Sequence, residues 1–231
     1  MKKFLGMAVV GMMMTMVMLN AGSAQASAPS SVLANILDKM TTAASGLKSL
    51  KANIRQQKTN TQLGIKGPVE SGTLYYKTKD GKSQLRIDYS APDVKVLVVD
   101  GDKFSLYQPE LKQMIQSSIQ NYAKQNSAGA LSLKFDANTR DKYNISYVKE
   151  ENVDGVETSV LALVPKPGVA VLFKHQEVWV DHKTWLPVKF QFTEKNNDVQ
   201  WIQFGNLQQN IVVGKDTFEI KSKPGTQIIK G

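Results

Sequence analysis

Residues 72–116 read GTLYYKTKDGKSQLRIDYSAPDVKVLVVDGDKFSLYQPELKQMIQ, and the punctuation of this stretch decides the fold. Thr73–Lys77 leads to Lys79-Asp80-Gly81, Gln84–Tyr89 to Ala91-Pro92-Asp93, and Val94–Val99 to Asp100-Gly101-Asp102. Phe104–Tyr107 then ends at Gln108-Pro109-Glu110, before Gln113–Ile115. Asp-Gly between apolar runs marks a hairpin, because its residues reach the positive φ that matches the twist of the flanking strands. In Leu85-Arg86-Ile87-Asp88-Tyr89 the alternation is strict, so one face is apolar and the other charged. The stretch is an antiparallel meander with one dry face, and what covers that face is the functional question.

Upstream, Val32, Leu33, Ile36, Leu37, Met40, Ala43, Ala44, Leu47 and Leu50 recur at steps of three and four. That spacing predicts an amphipathic helix over Ser31–Leu50, weakened in its last turn by Gly46. A helix beside a one-faced sheet is the natural cover for it. Residues 51–63 are polar and read as a long edge strand. Downstream, residues 117–140 break the strand pattern and read as one or two short, loosely held helices. The sheet resumes through Lys142–Glu150, Thr158–Val164, Gln176–Asp181, Leu186–Glu194 and Val199–Asn206, and a last short strand lies around Gln227–Ile229. About ten antiparallel strands in succession imply a strongly curved sheet or an open barrel.

The first 26 residues stand apart. Lys2 and Lys3 precede a Met-rich apolar run from Phe4 to Leu19, and Ala24-Gln25-Ala26 supplies a small-x-small cleavage site. This is the pattern of a secretory signal peptide, leaving residues 27–231 as one exported domain. The chain has no cysteine, so a lipidated Cys, a disulfide framework and thiolate chemistry are excluded. Its formal charge of +9 falls to +7 without the two leader lysines. Such a balance favours anionic lipid surfaces or acidic partners, or serves solubility alone. The lysines are scattered along the chain, which argues against nucleic acid.

Catalysis finds little support. His175 and His182 are seven residues apart, with no third metal ligand implied, and the nucleophile-elbow, phosphate-loop and metalloprotease motifs are all missing. Asp100-Gly101-Asp102 is explained in full by a hairpin turn. What stands out is apolar: Leu74, Tyr76, Leu85, Ile87 and Tyr89 share the inward face of the first strands. Val96, Val98, Leu106 and Met114 extend it, and Phe190, Phe192 and Trp201 supply the far side. They form either an ordinary core or the wall of a cavity for acyl chains, whose burial is worth about 0.8 kcal/mol per methylene. The cover comprises Leu33, Ile36, Leu37, Met40 and Leu47 from the helix, with Ile119, Tyr122, Leu131 and Leu133 from residues 117–140.

Taken in order, these motifs resemble the periplasmic outer-membrane lipoprotein carriers of the LolA family. Gly72-Thr73-Leu74-Tyr75-Tyr76-Lys77 is similar to that family's G-x-L-W/Y-x-K strand, and Leu85-Arg86-Ile87-Asp88-Tyr89 with Pro92 to its F-R-W-x-Y-x-x-P run. Val98-Val99-Asp100-Gly101-Asp102 through Tyr107 and Pro109 follows V-S-D-G-K-x-L-W-x-Y-x-P. Glu177-Val178-Trp179-Val180-Asp181 with Leu186-Pro187 resembles L-W-V-D…L-P, and Phe204, Asn206, Asn210, Phe218 and Pro224 follow the family's tail. The resemblance implies a half-barrel of about eleven antiparallel strands with helices in its mouth. It implies a carrier, without cofactor, metal or covalent chemistry, that takes triacylated lipoproteins from an inner-membrane ABC transporter and delivers them to an outer-membrane acceptor lipoprotein, as a monomer. A lipid- or lipoprotein-sensing or interaction domain is the alternative for the same fold. The family's lid-binding Arg has no counterpart in Lys77-Thr78-Lys79.

Overall fold

The computed structural model describes residues 30–79, 81–123 and 137–231. The leader lies outside these residues, as do Leu131 and Leu133 of the expected cover. A helix, α1 (Ser30–Gly46), is followed by β1 (Ser49–Asn60), a two-residue strand β2 (Ile65–Lys66), and the meander β3 (Glu70–Lys79), β4 (Lys82–Ala91), β5 (Lys95–Asp100), β6 (Lys103–Gln108) and β7 (Gln113–Ser118). Two short helices, α2 (Ile119–Ala123) and α3 (Ala137–Lys142), precede the second meander. That comprises β8 (Tyr143–Val153), β9 (Val156–Pro165), β10 (Phe173–Asp181), β11 (Pro187–Glu194) and β12 (Val199–Gln209). The tail makes one 3-10 turn at Lys215–Phe218 and ends in β13 (Gln227–Lys230).

All thirteen strands belong to one open, curved sheet, in the order β13-β7-β6-β5-β4-β3-β1-β12-β11-β10-β9-β8, with β2 paired beside β1. The pairing is antiparallel except at the end, where β13 runs parallel to β7. β1 is therefore no edge strand: it pairs with β3 on one side and β12 on the other, joining the two meanders. Its polar composition misleads because only alternate residues matter. Leu50, Ala52 and Ile54 are buried on the inner face, while Lys51, Asn53 and Arg55 occupy the other.

Helix α1 stops at Gly46, because Ser49 already belongs to the central strand. Its buried side chains, Ile36, Leu37, Met40 and Ala44, lie on one stripe, and the first three join the core built from the inner face of the sheet. A smaller cluster of Val153, Val160, Trp179 and Val188 occupies the outer face of the second meander. Val188 departs from the alternation of Leu186, Phe190 and Phe192 because the β10–β11 register shifts between Trp179 and Val180, and one extra residue reverses the side a strand presents. The β3–β4, β5–β6 and β8–β9 hairpins turn at Gly81, Gly101 and Gly155, each of which holds a positive φ.

Candidate functional site: the inner wall and its cover

The inner wall begins at β1 and spreads both ways. Ala52 faces Leu74, Leu74 faces Ile87, and Ile87 faces Leu97, so one apolar row crosses four strands. Tyr76 pairs with Leu85 in the next row, which continues to Val99 and Phe104. On the other side of β1, Ile54 pairs with Phe204, and Phe190 with both Ile202 and Val178. An aromatic ladder lines this half. Tyr143 stacks near Phe173 at 6.0 Å, Phe173 meets Phe192 at 5.4 Å, Phe192 lies 6.2 Å from Phe190, and Phe204 stands edge-on to Phe190 at 6.0 Å. Leu74, Phe190 and Phe192 are fully buried, and Leu85 and Leu106 are partly so.

Eight of the twelve expected wall residues thus meet on this face: Leu74, Tyr76, Leu85, Ile87, Tyr89, Leu106, Phe190 and Phe192. Val96, Val98, Met114 and Trp201 lie on the outer face instead. In Val96-Leu97-Val98-Val99 every position is apolar, so the run carries no parity of its own. Pairing of Ile87 with Leu97 sets it, placing Leu97 and Val99 inward. Met114 pairs with Tyr107, whose neighbours Phe104 and Leu106 are the inward ones. Trp201 precedes the inward Ile202 and donates its indole N–H to Gln57 Oε1 at 3.2 Å. Phe104, Tyr143, Phe173 and Phe204 were not among the expected wall residues. Alternation with Leu106 would have exposed Phe104, but nothing local marks the others.

The wall turns polar at one corner. Gln56 donates to Glu70 Oε2 at 2.6 Å and to the Tyr89 hydroxyl at 3.1 Å, and Lys95 forms an ion pair with Glu70 while standing 4.6 Å from the Tyr89 ring centroid. Burial pushes the Tyr89 phenol far up, and the charges of Tyr122 and Glu70 push the same way. Tyr122 is also raised, by burial first and then by Glu70. Both hydroxyls therefore stay neutral well into alkaline solution.

Over the wall lies α1. Leu33, Ile36, Leu37, Met40 and Leu47 all pack on the inner-face core. Tyr122 joins them from α2, its ring 4.0 Å from that of Phe104, whereas Ile119 sits at the β7–α2 junction with its N–H bonded to Asp102 O at 2.8 Å. Among the described residues, two polar contacts along the body of α1 lie at its exposed side. Arg140 of α3 pairs with Asp38 at 2.7 Å, both groups exposed, and Lys39 stands over the Trp185 ring at 4.1 Å. Exposed pairs of this kind contribute about 0–1 kcal/mol. The C-terminal end of α1 is held more firmly. Asn210 accepts a hydrogen bond from Lys48 N–H at 2.9 Å and donates to Gly46 O at 3.3 Å, and Ser49 Oγ donates to Ile211 O at 2.6 Å. Such a helix is anchored at one end and held along its length by an apolar stripe.

The outer face of the first meander has its own cover. The tail crosses it and is pinned by Arg86, which bonds Asp88 through Nε at 2.8 Å and the carbonyls of Thr217 and Glu219 through Nη1 at 3.1 and 2.9 Å. Beneath the tail is an open groove of about 420 Å³, lined by Tyr75, Val96 and Tyr107 with Arg86 and Asp88. The two histidines are separate. His182 Nε2 lies 2.7 Å from Glu150 and 2.9 Å from Ser159 Oγ, and His175 Nε2 lies 3.8 Å from Glu177. Among the described residues no cluster of three or more His, Cys, Asp or Glu is placed to hold a metal ion.

Three comparisons bear on this geometry. A family model described as "Outer membrane lipoprotein carrier protein LolA" matches residues 45–221. Among curated proteins, the chain is 26% identical over 141 residues to the uncharacterized protein MJ0687 of Methanocaldococcus jannaschii, covering 61% of this chain but only 39% of that protein. Among solved structures, MucB superposes with a TM-score of 0.55 at 17% identity, over 87% of this chain and 66% of that one. The Mycobacterium tuberculosis lipoprotein LppX superposes with a TM-score of 0.50 at 15% identity, over 80% of this chain and all of that one. At these identities the structural likenesses speak for the fold alone.

Proposed function

Because the chain belongs to the LolA family of outer membrane lipoprotein carrier proteins, we propose that its inner wall binds the acyl chains of lipoproteins. On this reading α1 is the movable cover, and the protein is a periplasmic carrier. It accepts triacylated cargo from an inner-membrane ABC transporter and yields it to an outer-membrane acceptor, with no cofactor and no covalent step. The observation that carries the proposal is the continuous apolar wall under a helix that packs on it by an apolar stripe, its C-terminal end tied by Asn210.

Magnitudes favour an exchange. Lifting α1 exposes Ile36, Leu37 and Met40, a gross cost of about 6 kcal/mol at roughly 2 kcal/mol per side chain, to which the wall side chains beneath them add. One acyl chain of about sixteen carbons recovers roughly 13 kcal/mol at 0.8 kcal/mol per methylene. Opposing terms of the same order let the cover close over an empty wall and open for cargo. The test is lipid extraction and native mass spectrometry of the protein isolated from its own cell envelope. Acylated lipoprotein or acyl lipid in defined stoichiometry is the expected result; bare protein, even after co-expression with a lipoprotein, would overturn the proposal.

The fold of MucB, which has been solved in complex with MucA, supports a second reading: a sensing or interaction domain that captures a partner protein. Affinity capture from the envelope separates the two. A transmembrane regulator in the eluate favours sensing, and lipoproteins favour carriage.

A further inference from the structure

Strand direction sorts the loops of this sheet into two groups. At the end where β1 finishes, the chain makes the 61–69 loop, the β4–β5 turn, the β6–β7 turn, the β11–β12 turn and the approach to β10. These loops form a crest at one end of the sheet, tied by hydrogen bonds into two groups: the 61–69 loop with the β11–β12 turn and the approach to β10, and the β6–β7 turn with the start of β13. Thr61 Oγ1 donates to Asn197 O at 2.8 Å, Lys195 N–H to Leu172 O at 3.0 Å, Gly67 N–H to Lys58 O at 2.8 Å, and Gln227 N–H to Lys112 O at 2.8 Å.

The crest carries an unusual set of side chains. Leu63 is 69% exposed, Leu111 63%, Ile65 58% and Val94 49%, and each sits in a loop, a two-residue strand or a turn. No local geometry requires them: at the opposite end the β5–β6 and β8–β9 hairpins turn at Gly101 and Gly155 without exposing a large apolar residue in either turn, and the exposed Val212 there lies in the tail outside any hairpin. Exposed lysines stand among them, namely Lys66, Lys112, Lys174, Lys195 and Lys223. Of the neighbouring acids, Glu70 is paired with Lys95 and Glu194 with Lys58, and Asp198 is buried, accepting hydrogen bonds from Thr61 N–H and Asn196. Asp93, Glu110 and Asp141 remain exposed, so cations predominate along the crest. Lysines scattered in sequence are thus gathered by the fold.

We propose that this loop crest docks the protein on an anionic lipid bilayer. Leu63, Ile65, Val94 and Leu111 enter the boundary between headgroups and acyl chains, and the surrounding lysines engage lipid phosphates. Single apolar residues on a surface are ordinary, but several at one end, interleaved with lysines, match an interface that is apolar within and negatively charged at its surface. Such docking would hold the protein against a membrane reversibly, without a span or a lipid anchor. It is independent of whether the inner wall holds acyl chains.

The test is flotation of the exported protein, its N-terminus verified by intact mass, with vesicles of phosphatidylglycerol and phosphatidylethanolamine and with neutral phosphatidylcholine vesicles. The expected result is partition into the anionic vesicles at low salt, falling at least fivefold in half-molar salt. The double variant Leu63→Ser/Leu111→Ser is expected to lose at least tenfold. Val212→Ser, at a tail residue 99% exposed near the opposite end, is expected to change nothing. Parent protein that stays with the soluble fraction, or a double variant that floats like the parent, would overturn the proposal. Lipid extraction of the same samples keeps the two readings apart: protein free of acyl cargo that still floats supports docking while counting against carriage.

Discussion

The ring of Tyr122 lies flat on that of Phe104, centroids 4.0 Å apart and planes 16° from parallel. Phe104 belongs to the inner wall and Tyr122 to the five-residue helix α2, so this pair fastens a short element to the sheet. Tyr122→Ala is expected to cost about 2 kcal/mol, the sum of lost apolar burial and a stacked aromatic contact. The same variant should bind a dye such as ANS more strongly than the parent. A parent-like melting temperature together with unchanged dye binding would show that α2 does not cover the wall.

Asn210, just past β12, ties the C-terminal end of α1 to the neighbouring strand through Lys48 N–H and Gly46 O, while its own N–H bonds Ser49 O at 2.8 Å and its φ is 55°. Asn210→Ala removes both side-chain bonds and leaves a Cβ in a left-handed conformation that Asn tolerates better, a loss of about 1.5 kcal/mol. Hydrogen exchange should quicken in residues 40–50 and stay unchanged in β9–β11. Uniform quickening across the protein would mean that Asn210 serves global stability rather than the local tie to α1.

Gly72, which opens the first strand motif, has no room for a side chain. A Cβ there would stand 2.2 Å from Asp88 O and 2.8 Å from Tyr89 Cα, both backbone atoms of β4. Gly72→Ala must push β3 away from β4 and should destabilise by about 3 kcal/mol. Gly205→Ala, where nothing lies within 4 Å, should shift stability by less than about 1 kcal/mol. Urea unfolding of the pair reads the difference directly.

Alkaline pH should loosen the inner wall. Burial, first, and then the neighbouring Tyr122 and Glu70 raise the Tyr89 phenol above its ordinary range near pH 10, while the Gln56 hydrogen bond opposes the shift. The unfolded chain releases that proton earlier, so the stabilisation is complete below pH 10 and is lost as pH rises through the folded value. Melting temperature measured from pH 8 upward should fall steeply beyond pH 10. In Tyr89→Phe the fall should be shallower, since Gln56 keeps Glu70 as a partner. A parallel fall in both proteins would assign the transition to other groups.

Much of the site was legible in residue order. Ile36, Leu37 and Met40 announce their stripe by spacing, and Leu74, Tyr76, Ile87 and Tyr89 announce theirs by alternation with polar neighbours. Where polar neighbours are missing, as in Val96-Leu97-Val98-Val99, alternation has nothing to alternate with, and the side chosen depends on pairing with β4. Met114 and Trp201 are buried or half-buried because something covers the outer face as well. For Met114 that cover includes Ile228, its partner in β13, contributed from the far end of the chain.

By itself the sequence determined the strands, their turns, the helix before them and the existence of one apolar face, because each rests on interactions between residues close along the chain. The tertiary structure alone decided that β1 joins the two meanders, that Leu97 rather than Val96 faces inward, that the tail shields the outer face, and that scattered lysines meet exposed leucines along one crest. Those features depend on register and on which strands become neighbours. Both are set by burial across the whole sheet, and no short window of residues encodes them.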